Sequence, residues 1–187
     1  SQILKIEIDN WGQKLRDTSP LLQKAREGKL NEQAVASYLK SLGYLFVASN
    51  VYLRSVATET ANQNMIELSS YFAEKAEDEH GHDKWAEDDL KNFAVESNIL
   101  PTARALAQLQ QDLIKIHPVS YLVYTIWAEY LTVVMGDEWL AALANSGFDR
   151  AKLTAVSKHV EADRHHAAHG FKEIDRFWTG SPSESDS

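Results

Sequence analysis

The sequence predicts an all-α fold, a single-domain bundle of seven helices over residues 1–178, and three observations predict it. Glycine and proline are few, 8 and 4 in 187 residues, and they fall between long amphipathic stretches, as punctuation does in a helical bundle. Within those stretches apolar residues recur at helical spacing. No segment alternates apolar and polar residues over five or more positions between turn signals, so strands are not expected.

The first helix is expected over Ile3 to Thr18. Ser19-Pro20 then reads as an N-cap followed by proline at the first helical position, opening a short second helix that ends at Gly28. Asn31 caps a long third helix to about Thr58, with Tyr38, Leu42, Leu45, Ser49 and Leu53 on one stripe. A fourth runs from about Gln63 to Phe93. Pro101 opens a fifth that ends before His117, Pro118 opens a sixth that runs to Gly147, and Asp149 caps a seventh to about Phe177. The tail, Thr179–Ser187, holds Gly180, Pro182 and four serines and is expected to be disordered.

Composition bounds the chemistry. A chain of 187 residues is large enough to bury a sizeable core, and its 44% hydrophobic and 25% charged residues are those of a soluble globular protein. No apolar run is expected to reach the ~18–20 residues that span a bilayer. Ser1–Lys5 lacks the basic-then-apolar layout of a signal peptide, so a cytoplasmic protein is expected. With no cysteine there are no disulfides, thiolate metal sites or cysteine nucleophiles. A net charge of -8 with no dense basic run argues against nucleic acid as a partner.

Six of the seven histidines fall in two short clusters, Glu77–Asp83 and His159–His169. In the second, helical rotation puts Asp163 ~40° to one side of His159 and His166 ~20° to the other, a stripe roughly 60° wide. Two imidazoles and a carboxylate converging in this way form a nitrogen and oxygen ligand set suited to iron, manganese or zinc. In the first cluster Glu79 and His82 are three apart and adjacent on a helix. His80 would lie ~160° from His82 on a continuous helix, so only one of them can face a shared site. His82 is favoured, because Glu79-x-x-His82 echoes Asp163-x-x-His166. Two carboxylate-x-x-His pairs with further carboxylates are how four-helix bundles hold two irons. Glu129 supplies a third element from the most apolar stretch of the chain, Tyr121–Met135, where a buried carboxylate needs a cation or strong donor opposite it. The candidate metal ligands are therefore Glu79, His82, Glu129, His159, Asp163 and His166.

Each element also has a plainer reading. Glu77–Asp83 reads equally as a solvated helix face, Glu129 as one half of a buried salt bridge to an arginine such as Arg54 or Arg104, and the His159 stripe as surface. The three fitting one site together is what chance explains poorly. His165 points away from the stripe, His169 lies beside His166, and His117 before Pro118 marks a helix end. The aromatic residues of Tyr121–Trp139 read first as core, and some as the lining of a substrate pocket.

These segments resemble the haem-oxygenase-like di-iron oxidases and oxygenases, which share a seven-helix fold with haem oxygenase, the TenA thiaminases and pyrroloquinoline quinone synthase. The resemblance rests on His159-x3-Asp163-x2-His166, on Glu79-His-Gly81-His82-Asp-Lys-Trp85 with Asp89-Leu90, and on Glu129 thirty residues before His159. Many members place the first glutamate seven residues before the histidine, where this chain has Lys75; others use Glu-x2-His. The chain has no histidine before His80 to serve as a haem ligand and no TenA-type cysteine. The resemblance implies two iron ions, the second held more weakly, with O2 as co-substrate. It implies a small-molecule substrate (amino acid, amine or fatty acid) that undergoes oxygen transfer, desaturation or oxidative C–C cleavage, in a homodimer. The alternatives are a cofactor-free enzyme like quinone synthase or TenA, and a non-catalytic helical protein that binds a ligand or partner.

Overall fold

A computed structural model describes residues 1–178, so the expectation for Thr179–Ser187 lies outside the described residues. The described chain is all helical: α1 (Gln2–Thr18), α2 (Pro20–Arg26), α3 (Glu32–Asn62), α4 (Ile66–Asp78), α5 (His82–Leu90), α6 (Pro101–Ile116), α7 (Pro118–Asn145), a 3-10 turn (Arg150–Lys152) and α8 (Thr154–Trp178).

Local chemistry sets most of these boundaries. The Ser19 hydroxyl accepts from Leu22 N at 3.3 Å, with Pro20 in the first turn of α2. Asn31 Oδ1 accepts from Ala34 N at 2.9 Å and opens α3. His117 is the N-cap of α7, its Nδ1 accepting from Val119 N at 3.2 Å. Two boundaries differ from expectation. The expected Gln63–Phe93 helix is divided in two, because Gly81 takes φ 86° and ends the α4 ladder before α5 begins. Asp149 caps only the 3-10 turn, its Oδ1 accepting from Ala151 N at 2.9 Å, and α8 starts at Thr154.

The long helices α3 and α7 organise the packing. α3 carries α4, α5 and α6 along its length, while α7 packs on α8, α1, α6 and α2, and α5 meets α8. Among the described residues, α7 alone, Pro118–Asn145, is by length and composition apolar enough to cross a membrane, which corrects the expectation that no segment would be. In this structure it is the central helix of the bundle, with Tyr121, Leu122, Ile126, Glu129, Leu140 and Leu143 buried.

The apolar interior forms two clusters rather than one. The first gathers Leu22, Val35, Leu39, Ala86, Leu140, Leu143, Val156 and Val160. The second gathers Leu53, Val56, Leu68, Phe72, Tyr121, Ile126 and Ile174. α3, α7 and α8 each contribute to both, and α4 and α5 divide between them. The segments joining the two clusters are those that carry Glu79, His82, Glu129 and Asp163.

Two glycines let α7 and α8 approach closely. A Cβ on Gly136 would meet Val160 Cγ2 at 2.3 Å, and one on Gly170 would meet Ile126 Cγ1 at 2.7 Å. Both distances are far inside van der Waals contact, so any side chain there must push the helices apart. Gly136→Ala is expected to lower stability by about 1–3 kcal/mol, the usual cost of overpacking. Adding Val160→Ala should recover part of the loss. Thermal unfolding followed by circular dichroism checks both, and an unchanged midpoint for Gly136→Ala would show that the interhelical distance is not held by this contact.

Candidate metal centre

Glu79 is the hub of the polar cluster. It stands at the C-cap of α4, one residue past the last full turn. Asn50 of α3 steadies that end by donating from Nδ2 to the Ala76 carbonyl at 2.6 Å, one of the carbonyls a helix terminus leaves unpaired. The two carboxylate oxygens of Glu79 face different groups. Oε2 lies 2.8 Å from His82 Nδ1 and 3.9 Å from His159 Nε2. Oε1 lies 3.5 Å from His166 Nδ1 and 3.8 Å from Lys75 Nζ.

Asp163 closes the other side, with Oδ2 3.5 Å from His159 Nδ1 and Oδ1 3.4 Å from His166 Nδ1. Glu129 reaches in from α7 and pairs in close contact with the Lys75 ammonium. All six candidate ligands thus come together, from α4, α5, α7 and α8. The rings of His82 and His159 are 4.8 Å apart. Of the other histidines, His80 and His165 are exposed, and His169 pairs with Glu173 at 3.7 Å. His82 faces inward and His80 stays in solvent, on either side of the Gly81 break.

Many of these separations are too long for hydrogen bonds. Glu129 Oε2, His159 Nε2, Asp163 Oδ1 and His166 Nδ1 are buried and have no hydrogen-bond partner. Two further buried atoms, Gln110 Nε2 and Trp139 Nε1, are also unpaired among the described residues, but only at this centre do four gather in one cluster. Two donors each ~2.1 Å from a shared ion are themselves roughly 3–3.5 Å apart, which is close to the spacing found. Two sets of donor atoms lie within 4.8 Å of one another, Glu79 with His82 and His159, and Glu79 with Glu129 and His166. The residues fit a metal ion by donor type, by spacing and by their unpaired atoms.

Electrostatics follow from the burial. Burial pushes the Glu129 carboxyl up to about 7, against the pull of the Lys75 ammonium. Burial alone would raise Asp163 too, but the His159 and His166 imidazoles outweigh it and hold the carboxyl below its ordinary value. The same contest holds Glu79 low, with His82, His159 and Lys75 on the winning side. Desolvation disfavours the Lys75 ammonium, yet Glu129 and Glu79 more than compensate and raise it.

Several residues at the centre were not among the candidates. Phe46 of α3 stacks on His159 at 4.2 Å with planes 7° apart, and Trp85 stacks on His82 at 4.0 Å. Lys75 enters the sequence reading only as a departure from a family pattern, and the partners expected for Glu129 are a metal or an arginine such as Arg54 or Arg104. Arg54 instead pairs with Glu77 at 2.9 Å, and Arg104 lies over the Tyr44 ring. Lys75 falls on the apolar stripe of α4 with Leu68 and Phe72, so a lysine on a buried face was a signal available in the sequence.

Asp89 links the two ligand-bearing helices. From α5 it accepts from the Thr154 hydroxyl and from Ala155 N, each at 2.7 Å, and so caps α8 in trans. Beside the centre lies a cavity of about 180 Å³. The α3 stripe Tyr38, Leu42, Leu45, Ser49 and Leu53 lines it, together with Tyr121 and Tyr124 of α7, and Lys75, Glu79, Glu129, His159 and Asp163 form its polar end.

No family model matches this chain, and neither a curated protein nor a solved structure matches it. Asp89→Ala is expected to cost about 1–2 kcal/mol through loss of the α8 cap, with Asp89→Asn milder because one acceptor remains. Urea unfolding measures it, and two variants of equal stability to the parent would show that the α5–α8 link is not stabilising.

Proposed function

We propose that this chain is a non-haem iron oxidase or oxygenase of the haem-oxygenase-like kind, acting with O2 on a small molecule held in the adjoining cavity. The observation that carries the proposal is the convergence of Glu79, His82, Glu129, His159, Asp163 and His166 with four buried polar atoms left unpaired. A set of imidazoles and carboxylates without thiolate suits iron, manganese or zinc, and the family resemblance favours iron. When bound, iron supplies the one-electron chemistry that O2 needs and amino-acid side chains lack.

The chain's own residues supply binding, orientation and exclusion of water. Asp163 lies between His159 and His166, 3.5 and 3.4 Å from their Nδ1 atoms, and gives both imidazoles a carboxylate neighbour. Phe46 and Trp85 cover the faces of His159 and His82 and limit water at the imidazoles. The cavity is mostly apolar along α3, with the hydroxyl-bearing Tyr38 and Ser49 among Leu42, Leu45 and Leu53, and its charged groups gather at the carboxylate end, so a substrate with an apolar body would present one end to the centre. Amino acids, amines and fatty acids all meet that description.

A second reading is a metal-free enzyme whose histidines contact an organic ligand, and one observation favours it: Lys75 already gives Glu129 a counter-charge. The two readings separate on metal affinity. Under anaerobic conditions Fe(II) should bind the parent protein tightly. His159→Ala and Asp163→Ala should each weaken binding by about 100-fold or more, given that loss of even an outer-shell partner costs 10- to 100-fold. Admitting air to the loaded protein should produce O2 uptake beyond that of free Fe(II), read at an oxygen electrode. Absence of Fe(II) binding by a protein with intact helical dichroism would favour the metal-free reading.

A further inference from the structure

The two oxygens of Glu79 divide the centre into unlike halves. On the Oε2 side stand His82, whose Nδ1 shares a 2.8 Å hydrogen bond with that oxygen, and His159, whose Nε2 is unpaired, and among the described residues no lysine or arginine pairs with it. On the Oε1 side stand His166 and Lys75. Lys75 also contacts Glu129, so its ammonium touches two of the three members of the Glu79–Glu129–His166 set. The lysine is 6% exposed, and no other acidic side chain forms an ion pair with it among the described residues.

We infer that the centre takes one divalent metal ion, on Glu79, His82 and His159, and that Lys75 Nζ stands as the second cation between Glu79 and Glu129. The inference rests on the metal-dependent reading above and replaces its expectation of two ions with one. Charge balance argues the same way. When all three are ionised, the carboxylates Glu79, Glu129 and Asp163 carry three negative charges. One ammonium and one divalent ion neutralise them. A second divalent ion beside Lys75 would leave two uncompensated positive charges in a buried site, which is costly in a low-dielectric interior. An ammonium also differs from a metal ion in what it can do. It donates hydrogen bonds and holds Glu129 in place, but it offers no open coordination position. The structure therefore assigns Lys75 a positioning role, and it leaves one half of the centre for metal chemistry.

The test is metal content per chain. The parent, Lys75→Met and Lys75→Arg are loaded with excess Fe(II) without oxygen, freed of unbound metal by gel filtration and measured by mass spectrometry of the metal. Circular dichroism confirms that each is folded. The parent and Lys75→Arg should hold one ion per chain and Lys75→Met two, with an apparent affinity for the second ion at least about ten-fold tighter than in the parent. If Lys75→Met does not fold, Lys75→Glu, which restores a carboxylate at that position, should also hold two. Two ions in the parent would overturn the inference and leave the metal-dependent reading standing. One ion in both the parent and a folded Lys75→Met or Lys75→Glu would also overturn it, because Lys75 would not be what excludes the second ion. No ion in the folded parent would remove the metal-dependent reading itself, and the inference with it.

Discussion

Three carboxylates are buried at one level of a helical bundle, and the rest of the structure answers to that constraint. Removing Glu79, Glu129 and Asp163 from water is expensive unless each finds a positive or hydrogen-bonding partner. Lys75, His82, His159 and His166 provide those partners only incompletely, since several of their approaches exceed hydrogen-bond length and four polar atoms stay unpaired. The cluster sits where the two apolar cores meet. Leu140, Val156 and Ala86 lie on one side, and Leu53, Phe72 and Ile126 on the other. Both cores hold the helices rigid around a polar centre that neither could enclose alone.

That rigidity has identifiable sources. Gly136 and Gly170 bring α7 against α8, which sets how far Glu129 stands from Asp163 and His166. Asp89 ties the end of α5 to the start of α8, which sets His82 against His159. Asn50 holds the last turn of α4, and with it Glu79. None of these groups belongs to the donor set, yet each controls one of its distances. A site whose function depends on separations of a few ångströms needs such support from elements that are themselves well packed.

The lysine changes how the centre is understood. A set of six donors with two carboxylate-x-x-His pairs suggests a symmetric arrangement. The ammonium on Glu129 makes it asymmetric, with one half built of imidazoles and the other already carrying a charge. Both halves face the cavity, which Lys75 lines as well as His159.

Much of this was legible in the residues themselves. Helical periodicity, the caps at Ser19-Pro20 and Asn31, and the prolines at Pro101 and Pro118 determined the fold class and most helix starts, because capping and proline geometry act within a few residues. The stripe His159–Asp163–His166 was equally secure, since its angles follow from one continuous helix. Glu129 announced itself as a carboxylate in an apolar run, though its partner did not. Only the tertiary structure decided that this partner is Lys75 and not an arginine, that Phe46 and Trp85 cover the imidazoles, and that Asp89 caps a helix 65 residues away. It also decided that the helix expected over Gln63–Phe93 breaks at Gly81, with His82, the histidine the spacing favoured, facing inward. The physical reason is common to all four. Periodicity tells which face of a helix is buried, but what that face meets depends on helices far away in the chain, and on a packing that no local pattern encodes.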